Sequence, residues 1–180
     1  MYYSAGADNV GRSTILAKPT SKLGIGNDAD LRLWHKRGDK MDRRVEELFL
    51  KYEKANSTSD VSEIGQLYAD TFLFGGPNGA QAVKKEDFLK VVPKRKAYFS
   101  SMGLSETQLE SVEVNPLDAK YLLAKVAWKM KLESSVGCRH LETFATYVLM
   151  RGNGDALSIV FQFDHQDLAS VIKELQGTQQ

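Results

Sequence analysis

The chain has 180 residues, an apolar share of 42%, a charged share of 26% and a formal net charge of +1. That suits one globular domain with a single sizeable core, and leaves no overall field to recruit nucleic acid or a membrane surface. One cysteine, Cys138, excludes an internal disulfide, a CxxC pair and a Cys-rich zinc site, and three scattered histidines (His35, His140, His165) give a metal little to build on.

No metal and no cofactor are therefore implied. The longest apolar runs fall far short of the roughly 20 residues a membrane span needs. No basic region followed by an apolar stretch opens the sequence, so the expected location is cytoplasmic.

Residues 1–41 mix Gly, Ser, Asn and Asp with apolar residues at no steady period, and read as a disordered or loosely docked leader. A targeting or partner-binding arm is the alternative. Met41 stands just ahead of the first strong helix signal and is a candidate natural start. The domain is expected over 42–176, with a short tail at 177–180.

Asp42 can cap a helix whose apolar residues Val45, Leu48, Phe49 and Tyr52 recur at i, i+3, i+4 and i+7. The polar run Asn56-Ser57-Thr58-Ser59 ends it. Asp60 followed by Glu63 makes a capping-box pattern that opens a second helix carrying Ile64, Leu67 and Tyr68. Thr71-Phe72-Leu73-Phe74 is β-prone and is stopped by Gly75-Gly76-Pro77-Asn78-Gly79. A third helix covers Lys85 to Val92, where Pro93 is expected to break or kink it. Lys94 to Met102 adds a further turn or two, closed by Gly103.

Beyond Gly103 the period becomes strand-like, over about 107–114, 120–133, 140–151 and 156–164. The separators are Asn115-Pro116-Leu117-Asp118, Ser134-Ser135-Val136-Gly137 and Gly152-Asn153-Gly154-Asp155. All three are turn chemistry, so these strands are antiparallel neighbours. Asp167 can cap a last helix with Leu168, Val171, Ile172 and Leu175 on one face. Helices first and a meander second make an α+β domain.

The run from Lys51 to Asp70, with Tyr52, the polar break, Asp60 and Leu67-Tyr68-Ala69-Asp70, resembles the opening helices of the nuclear transport factor 2-like superfamily. Phe72 to Gly79 and the hairpin around Arg151 to Asp155 fit its first strand and last turn. The resemblance covers about 130 residues and rests on the order of elements, so it speaks to fold more than to activity. It implies a strongly curved, mostly antiparallel, cone-like sheet wrapped around the N-terminal helices. It also implies an apolar pocket inside, and dimerisation through the outer sheet face.

The family's ketosteroid isomerases use a tyrosine, an aspartate base and a second, protonated aspartic acid. Tyr52 matches the tyrosine, but the base falls on Gly76 and the second acid near Thr146. Two of the three parts are missing. Other family enzymes work with a single Asp or His at the pocket, which makes His165 or Tyr52 the candidates for proton transfer. Asp164 and His165 are adjacent, so strand alternation sets them on opposite faces, and both also read as the start of the turn into the last helix.

The expected pocket lining is Tyr52, Trp128, Thr146, Phe161 and Phe163. If Thr146 faces inward, so do Phe144 and Val148, while Ala145, Tyr147 and Leu149 face outward and hint at a homodimer. Lys94-Arg95-Lys96 reads as solvated helix surface, and Cys138 as a free thiol at a turn. The leading expectation is a homodimeric binder of a hydrophobic small molecule. An isomerase, cyclase or dehydratase, or an interaction module without a ligand, are the alternatives.

Overall fold

The computed structural model describes residues 28–134 and 137–177, with residues 28–42 and 155 described by backbone alone. Of the leader expected over 1–41, residues 1–27 lie outside the described residues, as do residues 178–180 of the expected tail. Helix α1 spans Asp28–Thr58. It begins well before Asp42, which sits inside the helix instead of capping it. The residues between carry good helix formers such as Leu31, Arg32, Leu33 and Lys36, so the backbone stays helical where no apolar stripe marks it.

The polar run does end α1. Asn56 Nδ2 donates to Tyr52 O at 2.8 Å and Thr58 Oγ1 to Lys54 O at 3.0 Å, and Ser59 turns the chain at φ 59. Helix α2, Val61–Leu67, is capped as the sequence predicts: Asp60 Oδ1 accepts from Glu63 N at 2.9 Å.

Strand β1, Tyr68–Gly76, is longer than the four-residue stretch predicted. It pairs with a second strand, β2, Gly79–Lys84, whose Ala- and Gln-containing sequence gives little β signal. Helix α3 runs unbroken over Lys85–Ser101 with Pro93 inside it, so the expected break does not occur. Packing of its apolar face against the sheet outweighs the one donor that Pro93 lacks.

Strands β3 (Leu104–Pro116), β4 (Tyr121–Ser134), β5 (Gly137–Arg151) and β6 (Leu157–Asp164) form the predicted antiparallel meander. The turn between β5 and β6 is a 3-10 turn at Asn153–Asp155. Helix α4, Leu168–Gly177, closes the described chain, with Asp167 Oδ1 accepting from Ala169 N at 3.1 Å.

The six strands lie in the order β2-β1-β6-β5-β4-β3, with β1 parallel to β6 and the other neighbours antiparallel. The sheet is open and curved. Register shifts between Leu104 and Glu106, between Leu109 and Ser111, and opposite Val148 and Leu149 each insert a bulge that bends it. Inside the curve, Phe49 of α1 is fully buried between Trp128 and Tyr147, with ring centroids at 6.2 and 4.7 Å. Val45, Ile64, Leu122, Leu149 and Ile159 complete this core. A smaller cluster seats Ile172 of α4 on Leu132 and Leu141, next to Phe99 and Met102.

Gly103 makes the corner between α3 and β3. Its φ is +90, and a Cβ there would meet the Glu133 carbonyl oxygen at 2.3 Å. Gly79 also has positive φ, +119, but a Cβ there would meet nothing within 4 Å. Gly79→Ala should therefore cost about 1 kcal/mol from backbone strain alone. Gly103→Ala should cost at least twice that. Urea unfolding midpoints at unchanged m value measure the difference.

Candidate functional site: an aromatic hollow with an ion pair

Between α1, α3 and the concave face of the sheet lies a cavity of about 280 Å³. Helix α1 contributes Tyr52, Glu53 and Asn56, and the sheet contributes Trp128, Met130, Thr143, Ala145, Tyr147, Gln162 and Asp164. From α3 come Phe88, Val92, Arg95 and Phe99, spaced i, i+4, i+7 and i+11 along one face of a helix that continues through Pro93. That continuity places a guanidinium on an otherwise apolar stripe.

Arg95 is held from three sides. Its guanidinium carbon lies 5.7 Å from the Phe74 ring centroid and 5.6 Å from that of Phe99, and Nη2 meets Asp164 Oδ2 at 3.3 Å. The Arg95 side chain is 40% exposed and that of Asp164 25%, both opening on the cavity that they line. Burial disfavours the charge on Arg95, but Asp164 first, then Tyr52 and Tyr68, outweigh it and raise its pKa. Arg95 is a fixed cation here.

A chain of hydrogen bonds runs from this pair into the core. Gln162 Nε2 donates to Asp164 Oδ1 at 2.9 Å, Tyr68 Oη donates to Gln162 Oε1 at 2.5 Å, and the Tyr68 and Tyr52 hydroxyl oxygens lie 3.5 Å apart. Tyr68 and Gln162 are each only 2% exposed. Tyr147 is also buried, with its ring 6.3 Å from that of Tyr52. Burial above all, with Tyr52 nearby, pushes the phenols of Tyr68 and Tyr147 well above the usual tyrosine range.

The sequence-predicted site residues divide between the two sheet faces. Tyr52 and Trp128 line the cavity as expected. Thr146, Phe161 and Phe163 do not: they lie on the outer face, with Thr146 opposite Phe163 and Val148 opposite Phe161. On β5 the inward residues are Thr143, Ala145, Tyr147 and Leu149, all buried, so the outward set assigned to Ala145, Tyr147 and Leu149 is inverted.

On β6 the cause is a bulge at Val160, where Leu149 pairs with Ile159 but Val148 pairs with Phe161. The extra residue shifts the inward set from Ile159 to Gln162 and Asp164. His165 is exposed on the outer side, 2.8 Å from Thr146 Oγ1, with its ring edge-on to Phe163. Asp164 and His165 thus occupy opposite faces, as alternation requires, and of the two it is Asp164 that reaches the cavity.

Arg95, assigned to solvated surface, is the cation of the site. Its neighbour Lys96 sits at the cavity mouth and donates to Ser57 O at 2.5 Å. Among the described residues no three His, Cys, Asp or Glu side chains come together as a metal site. No helix among them is long and apolar enough to cross a membrane. Cys138 is a free, exposed thiol.

No protein-family model and no curated protein matches the sequence. Solved structures do match. A nuclear transport factor 2-like protein with a cystatin-like fold from Novosphingobium aromaticivorans superposes with a TM-score of 0.60 at 11% identity, covering 84% of this chain and 98% of that one. Aln2 from a Streptomyces species gives 0.59 at 12% identity, covering 73% and 94%. A nuclear transport factor 2-like protein of unknown function from Shewanella oneidensis gives 0.54 at 14%, covering 68% and 96%.

The chain has the nuclear transport factor 2-like fold. At these identities the likeness concerns architecture, and the contents of the cavity are this chain's own. Within this fold, Gly76 ends β1 without a side chain and Thr146 faces outward, so neither position that the resemblance gives to an aspartate supplies an acid to the hollow.

The buried phenols make stability depend on pH. Because the folded state holds the Tyr68 and Tyr147 protons more tightly than the unfolded chain does, their contribution is complete below the unfolded tyrosine value of about 10. It declines as pH rises above that value. The free energy of unfolding should fall between pH 10 and 11.5 more steeply in the parent than in Tyr68→Phe, as followed by urea melts across that roughly one-and-a-half-unit range.

Proposed function

We propose that the protein binds a small, largely apolar molecule in this cavity, with a hydrogen-bond acceptor of the ligand placed against Arg95. The observation that carries the reading is one guanidinium set in a hollow walled by Tyr52, Phe88, Phe99 and Trp128. Asp164 takes one N–H of Arg95, and the others have no protein partner among the described residues. Pockets for small molecules have this make-up, apolar walls with a few placed polar groups. An apolar cavity of about 150 Å³ takes up benzene, so about 280 Å³ suits a molecule of two or three fused rings.

A panel of polycyclic ketones, steroids and fatty acids, read by thermal shift and by quenching of Trp128 fluorescence, tests this. A binder at a hundred times its Kd should stabilise the protein by about 2.7 kcal/mol. Arg95→Met should weaken that binder about tenfold, the worth of a hydrogen bond to a charged donor. No stabilisation by any member of the panel would overturn the reading.

The same protein is proposed to pair with a second copy through the outer sheet face. The residues that support this are not those named from alternation but the opposite set. Leu73 is 47% and Phe144 42% exposed, with Phe161 and Phe163 between them on β6 and Val148 beside Phe161 on β5. A continuous apolar patch of this kind is costly to leave in water. Sedimentation should give a dimer for the parent and a monomer for Leu73→Glu/Phe144→Glu. A parent that sediments as a monomer at high micromolar concentration would refute pairing.

A further inference from the structure

The hydrogen-bond chain behind the cavity has a direction, and the direction is set by charge. Arg95 has only donors and stays protonated, so the carboxylate it holds at 3.3 Å is an ionised, acceptor-only Asp164. The Gln162 group 2.9 Å from Asp164 Oδ1 must then be the amide nitrogen. That choice turns the amide oxygen toward Tyr68, 2.5 Å away.

A phenol has one proton, and Tyr68 gives it to Gln162. Both residues are 2% exposed, so water does not substitute for either partner. Burial also keeps Tyr68 protonated far above neutral pH. What Tyr68 offers to Tyr52, 3.5 Å away, is therefore a lone pair, and the Tyr52 hydroxyl is the donor of that contact.

Resting on the reading of the cavity as a ligand site, we infer that it selects a hydroxylated aromatic molecule, whose O–H donates to Tyr52. Turned toward Tyr68, the Tyr52 proton leaves a lone pair of its oxygen facing the hollow. A ligand with only an acceptor at that end meets a second acceptor and loses a hydrogen bond. A phenolic ligand completes a run in which every donor has an acceptor: ligand O–H to Tyr52, Tyr52 to Tyr68, Tyr68 to Gln162, Gln162 to Asp164, and Arg95 to Asp164 from the other side. Tyr52 is thus a specificity-determining residue. Gln162 is a positioning residue that acts through Tyr68.

Calorimetric binding of naphthol, its methyl ether and naphthalene to the full chain tests the inference. The ether keeps the ring system and the acceptor and lacks only the donor. In the parent protein naphthol should bind about fivefold more tightly than the ether, the worth of one neutral hydrogen bond. Gln162→Leu frees the Tyr68 proton to turn toward Tyr52, so the preference should vanish or reverse.

Tyr52→Phe removes the receiving oxygen and should equalise the two ligands, and it keeps the test open should Gln162→Leu not fold. If the ether binds as well as naphthol to the parent, the cavity reading stands and this inference falls. If none of the three binds, this inference falls, and the cavity reading falls with it only when the ketone, steroid and fatty-acid panel also gives no stabilisation.

Discussion

A guanidinium enclosed by aromatic rings is stable only if its charge is answered, and the rest of the site follows from how that is done. Arg95 enters the hollow from α3 and is met by Asp164 from β6, with Phe74 and Phe99 over its faces. Removing one partner of such a pair leaves an uncompensated charge, which in a fully buried site costs roughly 3–5 kcal/mol and less where, as here, both ends open on a cavity. The pair also ties α3 to β6, an element far away in sequence. It then sets the polarity of everything hydrogen-bonded to it, through Gln162 and Tyr68 as far as Tyr52.

Two departures from regular secondary structure make the pair possible. Helix α3 continues past Pro93, which carries Arg95 round to the face of Phe88, Val92 and Phe99. Strand β6 has a bulge at Val160, which turns Gln162 and Asp164 inward and sends Phe161 and Phe163 outward. Without the bulge the strand would present two phenylalanines to the cavity and its carboxylate to solvent. The bulge thus trades apolar filling for a polar wall, and it supplies the outer face with aromatic surface at the same time.

The two faces of the sheet have different chemistry as a result. The inner face holds ionised and hydrogen-bonded groups at one end of an aromatic hollow, an arrangement suited to orienting a small molecule. The outer face carries Leu73, Phe144, Phe161 and Phe163, with the Thr146–His165 contact among them, a surface suited to packing. The neighbours in structure share the frame at 11 to 14% identity. That leaves the cavity's polar groups free to differ between them.

The order of helices and strands apart from β2, the caps at Asp60 and Asp167, the antiparallel meander and the α+β class were legible in the sequence. They depend on local rules: helical and strand periods, capping side chains and turn residues. So was the inward placing of Tyr52 and Trp128, both on clearly apolar stripes.

Arg95 was legible in principle, since it lies at helical spacing from Phe88, Val92 and Phe99, but only if the helix is carried through Pro93. The facing of β5 and β6 was not. Thr146 and Tyr147, or Phe161 and Gln162, alternate equally well in either sense, and one inserted residue reverses every side chain beyond it. Whether a bulge is taken is decided by what the strand packs against, here Arg95, which stands 69 positions before Asp164 in the chain. The sequence alone determined the scaffold because its rules are local. Tertiary structure decided which residues form the site, because a charge set among aromatic rings chooses its partner across space.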